Sequence, residues 1–582
     1  MPAIRAGQRL KVMLQGLLLG LVILIGSSLA WGGGAVQGSP VSPAGPATQS
    51  APALPADPLA VAEQRAGIYA DCGQNAQQLL NGWIELKRDP ETHLYSRDRQ
   101  WDYHNEAADH YSSLVFIAQY VEPALLEGKG TLHQTLANSI RICTTPSGLP
   151  GPYDFKTKTL GEPNVNRLTE WLRDGLIRIS GALGKDNDFY RELVRLTDAV
   201  LTEARRQGGI AKVIHGPEAE GNMMETLARL AIMSGDEKYA RAAEEMADPY
   251  LLDDPLKKIT TFTCVDHGCE LVPGLGEVFI MEARLNRPKA KAYREPMRRL
   301  LDRLLEVGRH PESGLWYRKV DLSGKPVPNQ GRPTKAKTLG VGGAEYMPDV
   351  PDTWGYVLFT YDDYDRATGE HGYKDAIEKP MRWLVANRPR FEELKNTLWT
   401  PTFNRNTWSD SYECMVALCN RYRDVPGVFE WLDWMTIRGG LRTPKGPFGP
   451  GEGLHDDGTT GRCLCRHMMV CSQGIRAVPF QKGLGCGAIQ VASGELWLVV
   501  SSEAAWKGRL CFDWPRNEFP AGVIDWARIV EMPQWYVVRP ERNYRVTIDA
   551  SPARILPGSE LIRGLELSLS AGLKVRMRVT PQ

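Results

Sequence analysis

Net charge is what this sequence has least of. Across 582 residues, 70 Lys and Arg stand against 69 Asp and Glu, a formal balance of +1. So even a balance excludes a protein that binds nucleic acid mainly through its charge. Cysteine is sparse, with 11 in all, too few for a disulfide-built scaffold. Gly340-Val341-Gly342-Gly343 has no strand pattern ahead of it and is no dinucleotide loop. The acidic stretch Gly451-Glu452-Gly453-Leu454-His455-Asp456-Asp457-Gly458 lacks the ligand spacing of an EF-hand. No metal or other cofactor is therefore expected. Charged residues at 24% and hydrophobic residues at 42% are ordinary for a globular chain and exclude wholesale disorder. Length alone suggests three or four domains, unless repeats intervene.

The N-terminus carries a targeting pattern. Arg5, Arg9 and Lys11 precede an apolar run from Val12 to Trp31, with Ser28 and Ala30 as small residues for cleavage. Residues 1–30 read as a signal peptide, or as a signal anchor, since about 20 apolar residues can also span a bilayer. Residues 31–58 are rich in Gly, Pro and Ala and read as a linker. The expected location is extracytoplasmic, either secreted or periplasmic, or anchored to a membrane through an uncleaved signal.

From residue 59 to 474 the hydrophobic period is helical. Phe189, Leu193, Leu196 and Val200 form one apolar face, with Asp186 or Asp188 as a cap and Gly208 as a stop. Short breaks recur at Gly184, Gly235, Asn286, Gly369, Asp424 and Gly474. Gly235-x-x-x-Tyr239 and Gly369-x-x-x-Tyr373 share one signature. The step from Gly184 to Gly235 is 51 residues, and so is the step from Gly235 to Asn286. That period suits one antiparallel helix pair with its loops. Six or seven such hairpins fit, which predicts a mainly α (α/α)6 or (α/α)7 toroid over 59–474. The remaining connections are long: 88–104, 144–165, 252–266, 309–351, 388–408 and 440–461. In a ring of hairpins all of them fall on one rim, where function concentrates.

After about residue 475 the period becomes two. Leu565, Leu567 and Leu569 alternate with polar residues, as do Leu573, Val575, Met577 and Val579, with Ala571-Gly572 as the turn of a predicted hairpin. Gly494–Val500, Gly508–Trp514, Trp535–Pro540 and Asn543–Asp549 also read as strands. Residues 475–582 are expected to form a smaller antiparallel β-sandwich.

Four strings stand just after long loops: Asn105-Glu106-Ala107-Ala108-Asp109-His110-Tyr111, Asp266-His267-Gly268-Cys269-Glu270, Pro351-Asp352-Thr353-Trp354-Gly355-Tyr356 and Trp408-Ser409-Asp410-Ser411-Tyr412-Glu413. Together with the hairpin period and the β module, they resemble the six-hairpin glycosidases and toroidal polysaccharide lyases, including secreted bacterial proteins with such strings. The resemblance is architectural and covers nearly all of 59–582. It implies a substrate cleft on one rim of the toroid and a polysaccharide or oligosaccharide substrate.

Three strings pair an acid with an aromatic: Asp109 with Tyr111, Asp352 with Trp354, Asp410 with Tyr412. Aromatic faces pack sugar rings and carboxylates accept from sugar hydroxyls, although Asp at a helix start is also an ordinary cap. Candidate catalytic residues are Asp266, Glu270, Asp352, Asp410 and His267, because glycoside hydrolysis needs two carboxylates flanking the bond. If helical, the segment places Asp266, Glu270 and Glu277 on one face, while Pro273 argues for a later start to the helix. Candidate substrate-binding residues are Asp109, His110, Tyr111, Arg167, Trp354, Tyr356, Trp408, Tyr412 and His455. Helix N-termini converging on the rim, with Arg167, Arg405, Arg462, Lys335 and Lys337 near them, suit an acidic sugar such as a uronate. A lyase would neutralise that uronate with Asn166, Arg167 or Arg405 and take the proton with His110, His267 or Tyr356. A glycan-binding protein without catalysis is the third reading. Cys463-x-Cys465-x-His467 with Cys471 resembles a zinc cluster only in part, and i, i+2 spacing on a helix points apart, so buried thiols are expected. Cys264 and Cys269 could pair.

Overall fold

The structure is a computed structural model. It describes residues 57–582 except 98, 129, 265, 318, 324–353, 390–404, 438–440, 442–457, 492 and 526–531, and for 266 and 405–411 the backbone alone. Helices of two kinds alternate along it. Pro58–Leu86, Thr131–Cys143, Asp188–Gln207, Glu237–Leu251, Lys289–Gly308, Lys374–Ala386 and Val428–Met435 each bury a stripe and leave the rest to solvent. Each is followed by a helix buried nearly all round: Ser112–Val121, the run 165–183, Pro217–Ser234, Leu271–Arg284, Tyr356–Thr368, Arg405–Arg421 over its residues 412–421, and Gly458–Ser472.

The described residues therefore contain seven outer–inner pairs, the larger of the two expected numbers. The first five inner helices pack in succession, the sixth packs on the seventh, and the seventh packs on the first. The fifth and sixth meet where the Tyr422 hydroxyl donates to Asp362 at 2.8 Å, so the ring closes. The fold is an (α/α) toroid followed by antiparallel sheet. Among the described residues no helix is long and apolar enough to cross a membrane.

Local chemistry explains the hairpins. Asn187 accepts from the Tyr190 amide at 3.0 Å and starts the helix that buries Phe189, Leu193, Leu196 and Val200. Gly235 and Gly369 end their helices at φ 73° and 74°, a conformation that side chains resist. The connections leading into inner helices are the long ones, and strands tie neighbouring ones together. Gln100–Trp101 pairs with Tyr153–Asp154, and Thr261–Thr263 pairs with Lys319–Asp321. The described parts of the long loops thus gather at the inner-helix N-termini.

Helices end at Ser472 and strands begin at Arg476. One sheet has the order 554–557, 543–548, 574–581, 496–502, 484–490; the other has the order 565–569, 506–511, 476–478. Every pairing is antiparallel. Two expectations are corrected. Leu565–Leu569 and Lys574–Pro581 do not pair as a hairpin: the first lies against Trp506–Cys511, the second between Leu496–Ser502 and Asn543–Ile548. The Ala571-Gly572 turn carries the chain from one sheet to the other, and period-two alternation suits both arrangements equally. Residues 535–540 form no strand but touch Asp513 through a single bridge at Val537.

The β module is joined to the ring at two places. Helix 58–86 lies on strand 484–490, where a Cβ at Gly485 or Gly487 would sit 2.6 Å from the Ala66 carbonyl oxygen or 1.9 Å from that of Ala62. Arg65 donates to the Ala488 carbonyl across the same contact at 2.9 Å. Residues 513–525 and 532–535 lie under the opposite end of the ring, below the inner-helix C-termini. Trp514 meets Gly184, Ala521 meets Gly235, and Gln534 accepts from Asn420 at 2.9 Å. Asp525 pairs with Arg284 at 2.6 Å. One end of the ring is thus covered, and the N-terminal end carries the candidate chemistry.

Candidate active site

Four inner helices meet at the rim where their N-termini converge. Asp102 accepts from the amides of His104 and Asn105 at 2.9 and 2.8 Å, which caps the π-helical turn Asn105–Tyr111 and fixes His104. Glu170 ends the helix Val165–Glu170, begun by the Asn164 cap, and a second π-helical turn, Trp171–Ile177, follows it. Single π turns recur at functional sites because they re-aim side chains. Here they carry Asp109 on one helix and Arg173 with Asp174 on the other. Glu218 lies in the first turn of Pro217–Ser234. His267 sits in the short turn Asp266–Cys269 and Glu270 at the start of Leu271–Arg284.

The side chains form one connected group. His104 Nε2 lies 2.8 Å from Glu170 and 3.4 Å from Glu218. His267 lies 3.7 Å from Glu170 and 3.3 Å from Glu270. Arg173 donates to Glu270 at 3.1 Å and pairs with Asp174 at 3.0 Å. Exposure rises outward, from 1% at Glu170 to 27% at His104 and 40% at Glu218. The donor atoms of His104, Glu170 and Glu218 lie within 4.8 Å of one another, as do those of Asp109, Glu170 and Asp174. Beneath them, Arg178 pairs with Asp174 at 3.1 Å, and Glu413 holds Arg466 at 2.6 Å and Arg462. Removing one partner from such a buried network strands a charge, so the network fixes positions even where it adds little net stability.

Proton affinities in the group are driven apart. Burial raises the Glu170 carboxyl above its ordinary range, against the hydrogen bond from His104. The hydrogen bond to His104 lowers Glu218. Hydrogen bonds to Glu170 and Glu218 lift His104 to about 10. Burial opposes a charge on His267, but the bond to Glu270 and the charge of Glu170 prevail and its pKa is raised.

Of the residues singled out in the sequence, His267 and Glu270 join this group, and Asp109 lies beside it. Arg167 is exposed, three residues before Glu170. Asp352 and His455 lie outside the described residues, and Asp266, Trp408 and Asp410 are described by backbone alone. The others are corrected. His110 is buried, stacked on Trp83 at 4.8 Å, and accepts from the Gly458 amide at 3.1 Å. Burial lowers it to about 3, so it is a neutral packing group. Tyr111 is wholly buried against Tyr95, Trp101 and Trp171 and donates to the Leu132 carbonyl at 2.7 Å. Trp354, Tyr356 and Tyr412 are 1%, 2% and 0% exposed. Rings so enclosed are core and present no face to a sugar. Glu277, two turns further along the helix than Glu270, is clamped by Arg229 at 2.8 and 2.7 Å and is a buried ion-pair partner. The helix starts at Leu271, with Pro273 in its first turn, where proline is tolerated.

Sequence reasoning missed His104, Glu170, Arg173 and Glu218. One signal was available for Glu170: an acid set among Leu168, Trp171 and Leu172 is costly to bury without a role.

No family model matches the chain, and no curated protein matches it. Solved structures do resemble it. A GH127 β-arabinofuranosidase aligns over 90% of this chain and 77% of its own, at 10% identity and a TM-score of 0.31. A glycoside hydrolase aligns over 89% and 75%, at 9% identity and a TM-score of 0.34. A GH127 β-L-arabinofuranosidase from Geobacillus stearothermophilus T6 aligns over 88% and 76%, at 10% identity and a TM-score of 0.28.

Proposed function

We propose that this protein is a glycoside hydrolase acting on an acidic or decorated polysaccharide or oligosaccharide, with Glu170 and Glu218 as its carboxylate pair. The observation that carries this reading is the pair itself. Two carboxylates from neighbouring inner helices approach within 4.8 Å, and one is pushed up by burial while the other is pulled down by a histidine. Environments that split two titratable groups in this way mark an acid and a base. The raised proton affinity of Glu170 suits it to supply the proton that the leaving oxygen needs. Glu218, ionised and open to solvent, attacks the anomeric carbon or activates water. His104 touches both and holds them apart in proton affinity; His267 and Glu270 brace Glu170 from the other side.

The separation favours attack by Glu218. A retaining pair stands about 5–5.5 Å apart, whereas an inverting pair needs roughly 6.5–9.5 Å to admit water. The positive ends of the inner helices converge on this rim and suit an anionic sugar. The N-terminal apolar run supports an extracytoplasmic location, secreted or anchored to a membrane.

The test is digestion of a panel of acidic and neutral polysaccharides. New reducing ends without an ultraviolet-absorbing unsaturated end group are expected, with Glu170→Gln and Glu218→Gln each lowering turnover by about 10²–10⁴-fold. Both variants should still bind the sugar. Unsaturated ends would move the assignment to a polysaccharide lyase, and binding without any product would move it to a glycan-binding protein.

A further inference from the structure

A second donor set lies away from this rim, in the last hairpin of the ring. His467 and Cys471 are four residues apart on helix Gly458–Ser472, so they stack on one face. Asp433 comes from the outer helix of the same pair, Val428–Met435. His467 and Cys471 are wholly buried, and the Asp433 side chain is 19% exposed. One donor atom from each lies within 4.8 Å of the other two. An ion bound about 2.0–2.3 Å from N, O and S donors would hold them roughly 3.3–3.8 Å apart, so only small shifts are needed.

Two details point to a ligand. His467 Nε2 is 3.0 Å from Asp433 Oδ1, yet neither atom makes a hydrogen bond. A short approach without hydrogen-bond alignment fits two lone pairs turned toward a common point, and a buried polar atom with no hydrogen bond otherwise carries a desolvation cost. The other ring nitrogen, Nδ1, is 2.9 Å from the buried Tyr412 hydroxyl. With Nδ1–H donating to that oxygen, the ring presents Nε2 as a bare donor, the arrangement that orients metal-binding histidines. Helix 58–86 packs alongside and brings a further buried thiol, Cys72.

We propose that His467, Cys471 and Asp433 bind a zinc-class divalent cation that ties the last outer helix to its inner partner. The imidazole, thiolate and carboxylate donors select a borderline cation over magnesium or calcium, which prefer oxygen. Binding releases the Cys471 thiol proton to solvent and forms a metal–sulfur bond, with no change of oxidation state.

The inference stands apart from the hydrolase reading, because it is read without activity. The full-length protein, purified with zinc and dialysed against metal-free buffer, is assayed for bound metal; the stripped protein is then titrated with cobalt(II). Equimolar zinc is expected, together with a thiolate-to-cobalt charge-transfer band in the near ultraviolet. Cys471→Ser should abolish the band, and Cys511→Ser, at a thiol in the β module, should leave it intact. Absence of both zinc and band from the wild type would overturn the proposal whatever the variants do, and so would a band that survives Cys471→Ser.

Discussion

His104 is the residue on which the rim depends, because one nitrogen of its ring serves both Glu170 and Glu218. Its pKa is lifted from an ordinary 6.5 to about 10 by those two carboxylates. The protonated ring therefore stabilises the folded state fully below pH 6.5, and that contribution is lost as pH rises through about 10. Denaturant midpoints measured across that window should fall with rising pH in the wild type and fall less in His104→Gln. Equal slopes would mean the ring is not held as a cation. At this scale the sequence was only partly legible. His267 and Glu270 stand out as acid and base types at a loop end. Glu170 and Glu218 look like any helical glutamate until the ring brings positions 104, 170, 218 and 267 together. Tyr111 and Tyr412 misled for the opposite reason: an aromatic beside an acid reads the same whether its ring faces a sugar or the core.

Between elements, the rim is set by how closely two inner helices approach. A Cβ at Gly221 would lie 2.2 Å from the Glu270 carbonyl oxygen, and one at Gly274 would lie 2.7 Å from the Gly221 Cα. Gly221→Ala must push the helices apart at the turn that carries Glu270. It should cost about 1–3 kcal/mol in urea unfolding and lower turnover as well. Gly67→Ala, at a helical glycine with nothing within 4 Å, should stabilise by about 0.4–1 kcal/mol. If Gly221→Ala matched Gly67→Ala, the close approach would not be real. Helix pairs and their glycine stops were legible because period and punctuation are local. The 565–581 hairpin was misread because alternation reports only that a strand has two faces, not which strand it joins.

At the scale of the molecule, ring and β module share their interfaces. Helix 58–86 is an outer helix of the ring and also lies on strand 484–490, while residues 513–525 and 532–535 lie against the ring's far end. Neither part can open without exposing buried surface of the other, so calorimetry should give one cooperative transition for the two. Two separated transitions would show that the parts fold independently. The ring itself was legible from a 51-residue period between Gly184, Gly235 and Asn286. The cover was not, because residues 513–535 have almost no regular period.

The central assignment, a carboxylate pair split in proton affinity, is tested most directly by the pH dependence of kcat/KM for the wild type and Glu170→Gln on a cleaved polysaccharide. The expected wild-type profile is a bell. Its acid limb marks protonation of Glu218, below the ordinary carboxylate range, and its alkaline limb marks loss of the Glu170 proton, above that range. Glu170→Gln should be slower by about 10²–10⁴-fold and lose the alkaline limb while keeping the acid one. A Glu170→Gln enzyme with the wild-type rate and both limbs in place would contradict the assignment.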